Sequence, residues 1–350
     1  MPQRNVGALP LVALLTVMLV APARPAAAAD SGADAPLLRV RDSRIVESSG
    51  LVASRLHPGV LWTVNDSSGA PVVYGVGEDG QTVAELELAG VTQRDWEALA
   101  PTTMPDGSPG LLVGDIGDNS GSRERGVVVY LVPEPAELGL VVARPARTYR
   151  LRYEDGPHDA EGLAVDPRSG RVYLVGKALF GAGVYAADRL STSGDTVLRR
   201  VGRAPTLVTD AACLPDGRLV VRGYQSAQVL GRDLAREAGV DLPSQPQGES
   251  LAVTPDGSAL LVGSEGEDSA VYRVPLPSDL PVASGDEPRG SVEVTRPAPP
   301  RVVESAPPVS EDGAGEGGSA AAAVLLAVAA GIVAALLLRT RALRHFLRRR

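Results

Sequence analysis

The sequence has 350 residues, with 42 acidic and 34 basic side chains and a formal net charge of −8. Eight of the basic residues lie in the first 29 and last 12 residues, which contain no acid, so the part between carries 26 basic against 42 acidic residues, near −16. Such an acidic chain is poorly suited to nucleic-acid phosphates or to anionic lipid. The single cysteine, Cys213, excludes an intramolecular disulfide.

The chain begins with a segment typical of export. Arg4 precedes an apolar run at 9–20, and Ala26 to Ala29 are small residues suited to cleavage. We therefore predict a signal peptide over residues 1–29.

A strand-pair pattern recurs five times between residues 37 and 277, the predicted folded domain. In each repeat an acid leads a short apolar strand, and a turn and a stronger apolar strand follow. The second strands lie at 61–65, 111–115, 173–177, 219–223 and 260–264. Repeats of this length without helical periodicity predict an all-β fold, a β-propeller with one repeat per blade. Five blades are favoured, and a sixth, degenerate blade inside 97–161 is the alternative.

The first repeat contains all four strands that a blade needs, at 50–53, 61–65, 72–76 and 83–88. The fourth repeat has a weak fourth strand, because 234–248 is irregular, and the fifth repeat lacks one. The segment LLRVRDSRI at 37–45 is expected to complete that last blade and close the ring, which would remove the open sheet edges.

After the repeats, residues 278–318 are rich in proline and glycine and are expected to form a flexible stalk. Residues 319–338 are apolar or small over the length of a bilayer core and predict one transmembrane helix. Six arginines in the tail 339–350 place it in the cytoplasm. We expect a single-pass protein of the cell membrane with its propeller outside the cell.

The leading acids are expected to gather around the channel axis at one mouth of the propeller. They are Glu47, Glu97, Glu161, Asp210 and Glu249. Crowded carboxylates need protons, basic partners or a hard cation, and Ca²⁺ suits oxygen ligands from loops. With Asp115 and Asp159 they form the candidate metal ligands. The alternative is that each acid accepts backbone N–H groups of the adjoining blade, and recurrence in every repeat favours that structural role for the set.

A further layer of polar residues lies at the ends of the second strands and on nearby loops. The candidate ligand-binding residues there are Asn65, Asp66, Asp95, Lys177, Arg222 and Glu265. Lys177 and Arg222 could neutralise some of the acids without a metal. The loop at 115–126 is rich in oxygen ligands but lacks the spacing of an EF-hand.

Catalytic side chains are scarce. Before the tail there are only two histidines, His57 and His158, and no GxSxG elbow is present. Glu97 and Glu161 are therefore the candidate bases, and no organic cofactor is indicated. Trp62 and Trp96 are expected in the core between blades, and Cys213 is expected to be a small buried hydrophobe.

Several of these motifs resemble known propeller families. ESSGL, LWTVNDSSG and DWEALA are similar to the start of the SdiA-regulated family of extracytoplasmic bacterial propellers. DAEGLAVDPRSGRVYLVGK and GESLAVTPDGSALLVGSEGEDSAVYRVPL resemble the β-propeller phytases and the esterase-like-phytase domains. The resemblance spans about 45–275. It implies the fold and, from the six-bladed phytases, calcium held by channel carboxylates, here Glu161, Glu249 and Asp115. Too few basic groups are expected at the channel for an inositol phosphate.

Together these patterns favour a membrane-anchored extracellular binding module, for a small ligand or a cell-surface protein, with calcium as the expected cation. The alternative is a calcium-dependent hydrolase of a phosphoester, lactone or ester. Whether the chain is an enzyme stays open, and the scarcity of histidine and lysine argues against it.

Overall fold

The computed structural model describes residues 35–66 and 69–280. Every regular element in these ranges is a β-strand, so this part of the chain contains no helix that could span a bilayer. The predicted signal peptide, the stalk beyond residue 280, the transmembrane helix and the basic tail lie outside the described residues.

The strands follow one another along the chain in a regular succession of hairpins. In chain order they are β1 (Leu38–Arg39), β2 (Ser48–Ala53), β3 (Leu61–Asn65), β4 (Val72–Val76), β5 (Thr82–Leu88), β6 (Trp96–Thr103), β7 (Pro109–Asp115), β8 (Val127–Pro133), β9 (Gly139–Ala143), β10 (Arg147–Tyr153), β11 (Ala160–Val165), β12 (Val172–Gly176), β13 (Gly183–Ala187), β14 (Thr196–Arg203), β15 (Val208–Cys213), β16 (Leu219–Gly223), β17 (Ser226–Leu230), β18 (Arg236–Asp241), β19 (Leu251–Val253), β20 (Ala259–Val262) and β21 (Ala270–Pro275).

These strands build five four-stranded antiparallel units, in the orders β2-β3-β4-β5, β6-β7-β8-β10, β11-β12-β13-β14, β15-β16-β17-β18 and β19-β20-β21-β1. The first strand of each unit packs against the first strand of the next, and β19 packs back against β2. The described residues therefore form a closed five-bladed β-propeller, as the favoured prediction stated. The interval 97–161 contributes the extra strand β9, which pairs in parallel with β5, instead of a sixth blade.

Strand β1 closes the ring in the place that the sequence predicted. Leu38 pairs with Val271 and Arg39 with Ala270 of β21. The backbone N–H of Val40 extends this pairing by donating to the carbonyl of Ser269 at 2.8 Å. The first strand of the domain thus completes its last blade.

The outer strands are also paired. β10 and β14 run parallel and join blades 2 and 3 into one eight-stranded sheet. The expected irregularity at 234–248 was wrong in part, because β18 is a regular strand that pairs with β17. Its sequence REAGVD has few apolar residues, since an outer strand faces solvent on much of its surface.

The core is divided into clusters that fill the spaces between neighbouring blades. Trp62 and Trp96 are fully buried in the cluster between blades 1 and 2, as predicted. Cys213 is half-buried against the cluster between blades 3 and 4, and burial raises the pKa of its thiol, which suits a packing role. Because all strand pairings lie between residues 38 and 275, a fragment spanning 35–280 contains the complete ring.

Two adjacent leucines test the closing strand. Leu38 is 7% exposed and packs in the core, whereas Leu37 is 51% exposed. We expect Leu38→Ala to lower the free energy of unfolding by about 2–4 kcal/mol and Leu37→Ala by less than about 0.5 kcal/mol. Chemical denaturation of the 35–280 fragment measures both. Equal effects of the two substitutions would show that β1 does not close the ring.

Candidate functional site

The head of each inner strand carries a β-bulge that turns one side chain out of the ladder. The register of blades 1 to 4 shifts at Ser49, Glu97, Glu161 and Thr209. In blade 5 the corresponding residue is Glu249. This follows from two backbone hydrogen bonds, in which Gly263 N–H donates to the carbonyl of Ser250 and Glu265 N–H donates to the carbonyl of Gln247. Bulges commonly re-aim side chains near sites, and three of these five are glutamates.

The strand register corrects the sequence alignment of the five leading acids. Glu97, Glu161 and Glu249 share the bulge position. Glu47 lies two residues earlier, at the position that Asp95 and Asp159 occupy in blades 2 and 3, and Asp210 lies one residue later. A one-residue slip in a strand moves a side chain to the other face. The five acids are therefore not structurally equivalent.

Asp210 ties blade 4 to blade 5. It is fully buried, and its two oxygens accept the backbone N–H of Ala211 at 2.7 Å and that of Leu251 at 2.6 Å. Burial raises the pKa of this carboxyl, while the two backbone donors oppose the shift. Asp210 therefore has the structural role predicted as the alternative to metal binding, since it accepts a backbone N–H of the adjoining blade.

Arg222, predicted to bind a ligand, is also committed to the fold. Its guanidinium is fully buried and donates to the carbonyls of Ser250 and Gly263 and to Gln245 Oε1. Burial lowers its pKa to about 10. These hydrogen bonds connect blade 4 to blade 5.

Eight acids that repel one another surround the axis at the heads of the inner strands, and we call this set the carboxylate mouth. Its members are Glu47, Asp66, Asp95, Glu97, Asp159, Glu161, Glu249 and Glu265. Six of them lie at the bulge of an inner strand or two residues before it. The other two, Asp66 and Glu265, lie in the loops that follow second strands. The predicted gathering of acids at one mouth is present, with a different membership.

The tightest group within the mouth is Asp66, Asp95 and Glu97. Each offers a carboxylate oxygen, and the three oxygens lie within 4.8 Å of one another. Glu97 is buried, whereas Asp66 and Asp95 are half-buried, so solvent or a ligand can reach one side. One buried oxygen in this group, Asp66 Oδ1, has no hydrogen-bond partner among the described residues.

Gly117 forms the floor of this cluster. A Cβ added there would lie 2.6 Å from both Asp95 Oδ2 and Glu97 Oε1. The backbone of Gly117 is not in the left-handed region, so the residue is needed for space and not for its backbone angle. Glycine thus leaves a gap bounded by two carboxylates.

Lys177 is a basic residue that pairs directly with one of the mouth acids. Its Nζ lies 3.0 Å from Glu161 Oε1, and its ammonium lies 6.0 Å from the ring centre of Tyr224. Burial lowers the pKa of Lys177, but the carboxylates of Glu161 and Glu249 outweigh burial and raise it. Lys177 therefore stays charged and offsets one of the acids.

The loop at 115–126 is organised by its own contacts. Asp115 forms a buried ion pair with Arg123 at 2.6 Å, and Asp118 accepts the N–H groups of Ser122 and Arg123. Asp159 accepts the N–H of Asp118 at 2.7 Å. Asp115 and Asp159 thus support the loop that carries Gly117.

Two other predicted ligand-binding residues have partners within the fold. Asn65 accepts the N–H of Glu47 at 3.1 Å and donates to the carbonyl of Arg44 at 2.7 Å. Glu265 accepts a bond from the Gln247 amide. Asn65 shapes the loop that leads into the mouth, and Glu265 lies on its edge.

Burial and repulsion by neighbouring acids raise the pKa values of several mouth acids. Burial, with the neighbouring Glu161 and Asp66, raises the pKa of Glu97 to about 11. Burial and Asp95 raise that of Asp66 to about 8. Burial raises the pKa of Glu161 to about 7 although Lys177 opposes the shift. Burial and the charge of Glu249 raise the pKa of Glu265 to about 7. Without a cation, the mouth therefore retains protons at neutral pH.

Sequence reasoning missed Gly117, Tyr224 and Gln247. Gly117 stood among other turn glycines of its loop, and only the fold brings it against Asp95 and Glu97. His158 is a hydrogen-bonding loop residue, with its Nε2 2.8 Å from Asp155 Oδ1 and 2.7 Å from the Tyr185 hydroxyl.

No protein-family model matches this sequence, and no curated protein does either. Among solved structures, a gluconolactonase from Xanthomonas campestris is 16% identical, with a TM-score of 0.40 over 69% of this chain and 88% of that one. The glutaminyl cyclase of Myxococcus xanthus is 13% identical, with a TM-score of 0.43 over 69% of this chain and 100% of that one. At this similarity neither protein indicates what this chain does. The propeller assignment rests on the sheet topology, and membership of the SdiA-regulated or phytase families stays a prediction.

The raised pKa values predict how the cation-free protein responds to pH. The acids bind protons more tightly in the folded than in the unfolded chain, so their contribution is fully present below about pH 4 and is lost as pH rises through their folded values of about 7 to 8. We expect the free energy of unfolding in chelator to fall between about pH 5 and 8, by on the order of 1 kcal/mol per pH unit after screening by solvent. Denaturation at several pH values measures it, and a flat or rising profile would contradict the raised values.

Proposed function

We propose that this propeller is a calcium-dependent binding module whose carboxylate mouth holds the cation and presents it to a ligand. The cluster of Asp66, Asp95 and Glu97, with oxygens within 4.8 Å of one another, carries the proposal. Two features support a fit to a cation: the space that Gly117 leaves beside the cluster, and the unpartnered buried oxygen of Asp66. Solvated surface acids would show neither.

Calcium is the cation that suits this donor set. The cluster offers only oxygen ligands from loops and a bulge, which can adapt to the irregular six- to eight-fold coordination that Ca²⁺ accepts. Asp66 and Asp95 are half-buried, so water or ligand oxygens can fill the remaining positions. A bound divalent cation also relieves the repulsion that otherwise makes Glu97 and Asp66 hold protons.

The surroundings indicate the kind of ligand. A cation beside Lys177 would make a positive centre inside an acidic surface, which favours a small ligand or a cell-surface protein that offers one or two anionic or carbonyl oxygens. A polyphosphate would require more basic groups. Lys177 forms an ion pair with a mouth acid, whereas Arg222 is fully buried and donates to the fold.

The cellular setting is part of the proposal. The predicted signal peptide at 1–29 and transmembrane helix at 319–338 would hold the propeller outside the cell. Calcium sites of extracellular modules work at dissociation constants of roughly 0.1–1 mM, so a weak site would be sufficient there.

Calcium should raise the thermal stability of the 35–280 fragment. At a concentration about 100 times the dissociation constant, binding adds about 2.7 kcal/mol, which corresponds to roughly 5 °C or more in the unfolding midpoint. Glu97→Gln and Gly117→Ala should abolish this shift, the first by removing a ligand and the second by filling the space beside Asp95. Calorimetry with calcium and with chelator measures it.

Matched variants separate ligand loss from general damage. Glu87→Gln removes an acid from the exposed face of β5, and Gly194→Ala adds a Cβ that meets nothing within 4 Å, so both should keep the full shift. Asp210→Asn should lower stability but keep the shift, because Asp210 serves the blade contact. If wild type shows no calcium shift, or if Glu97→Gln retains it, the calcium site is wrong.

A second candidate function is calcium-dependent hydrolysis of a phosphoester, lactone or ester. The observation that favours it is the placement of Glu161, whose Oε1 lies 3.0 Å from Lys177 Nζ and whose charge acts on Glu97 of the cation cluster. A bound cation would polarise the substrate oxygen. Glu161 could take a proton from water, and Lys177 would hold the Glu161 carboxylate in place and steady developing negative charge.

A substrate panel distinguishes the two functions. If the protein is a hydrolase, wild type cleaves a member of the three ester classes in calcium, and Glu161→Gln loses about 100-fold or more of the rate. The same variant should retain a calcium-induced stability shift, which shows that its site is intact. No turnover of any class, or full activity of Glu161→Gln, would remove the hydrolase candidate and leave the binding module.

A further inference from the structure

The opposite mouth of the channel has a different chemistry. The inner strands all run from the carboxylate mouth to the other end of the channel, where a cavity with a volume of about 370 Å³ opens. Most of its wall consists of apolar residues from all five inner strands, including Ala53, Leu99, Val165, Cys213 and Val253. We call this end the apolar mouth.

Backbone groups complete the wall of the cavity. Each inner strand is the terminal strand of its sheet, so it is paired on one side only and turns its other edge towards the channel. Alternate N–H and C=O groups of such an edge are free to bind a ligand or water. A proline lies near the finishing end of four of these strands, at Pro101 within β6 and at Pro167, Pro215 and Pro255 just beyond the others, and these prolines reduce the number of donors at the rim.

The charges at this mouth are unequal. Arg55 is the one basic residue that lines the cavity within the described chain, and its exposed side chain makes a long contact of 3.4 Å to the carbonyl of Gly110. The carboxylate of Glu134 also attracts it, but that carboxylate accepts the Ser54 hydroxyl, the Trp62 Nε1–H and the Arg55 backbone N–H and not the guanidinium. Asp166 is the one acid there, and its oxygens already accept Arg168 N–H at 2.9 Å and Ser169 Oγ–H at 2.5 Å. A ligand therefore meets an available positive charge and a committed negative one.

From this arrangement we infer that the apolar mouth is a second binding site, for a small organic anion whose apolar body fills the cavity and whose acidic group pairs with Arg55. The volume falls in the range of small-molecule sites. An ionised acid paired to arginine contributes a charge-assisted bond, and the apolar body contributes burial.

This site is independent of the carboxylate mouth. It contains none of the eight mouth acids, and its chemistry requires no bound metal ion. A competing occupant is the chain beyond Leu280, since β21 runs parallel to β19 and ends at the same side of the propeller. The experiment below separates that occupant from a small anion.

The probe is 8-anilinonaphthalene-1-sulfonate, an aromatic body with one anionic group whose fluorescence rises in apolar surroundings. We expect saturable one-to-one binding to the 35–280 fragment, unchanged by calcium or chelator. Arg55→Glu should weaken binding about tenfold or more through loss of the charge pair. Ala53→Trp should abolish it by filling the cavity, and Thr102→Trp does the same from blade 2 if the first variant fails to fold.

Two control variants address trivial explanations. Arg150→Glu changes the net charge equally on the outer strand β10, and Phe180→Ser removes an aromatic side chain that is 85% exposed elsewhere, so both should bind the probe as wild type does. The inference fails if wild type shows no saturable binding, or if Arg55→Glu and the tryptophan variants bind normally. It also fails if a chain extended to residue 318 excludes the probe, because the cavity then holds the protein's own segment.

Discussion

The close approach of five inner strands around one axis is the constraint on which the other features depend. A Cβ added at Gly50 would collide with the backbone N of Leu99, and one at Gly162 would lie 3.0 Å from the backbone N of Ala211. Neither glycine has a positive φ, so space between blades selects them. Asp210 stands at the same position in blade 4 and bridges the gap by accepting the Leu251 N–H. Neighbouring inner strands are thus joined in two ways, by direct backbone contact at Gly50 and Gly162 and by a carboxylate bridge at Asp210.

The same crowding sets the electrostatics of the carboxylate mouth. Bulges direct Glu97, Glu161 and Glu249 towards an axis that is narrow because the strands are close. Their charges cannot be separated by moving a loop, since each is fixed by a strand. The folded chain must therefore carry protons or a cation, with Lys177 balancing part of the charge. Protons and cations then compete for the same oxygens, which couples cation affinity to pH.

Much of this fold could be predicted from sequence because its signals are local. Apolar runs and Asp-Gly turns mark strand pairs, and 37–45 reads as a strand without a partner. The bulge left no such signal: one extra residue in a strand changes neither composition nor turn spacing. Glu47 and Asp210 were therefore aligned with residues that they do not match. Gly117 lay beyond prediction for a related reason, since its role comes from Asp95 and Glu97, which are distant from it in sequence and are brought beside it only by the pairing of β6 with β7.

The two ends of the channel differ because the strands have a direction. Every inner strand starts at a bulge, where polar side chains can turn towards the axis, and finishes in a regular ladder that leads to a turn. At the finishing end four of the five blades place a proline, and a proline adds apolar surface without a backbone donor. A ring of parallel inner strands thus separates charge from apolar surface along its own axis. In this propeller all five inner strands run in the same direction, so the same difference recurs in each blade, and Arg55 and Asp166 are the charged side chains that line the mostly apolar opening within the described residues.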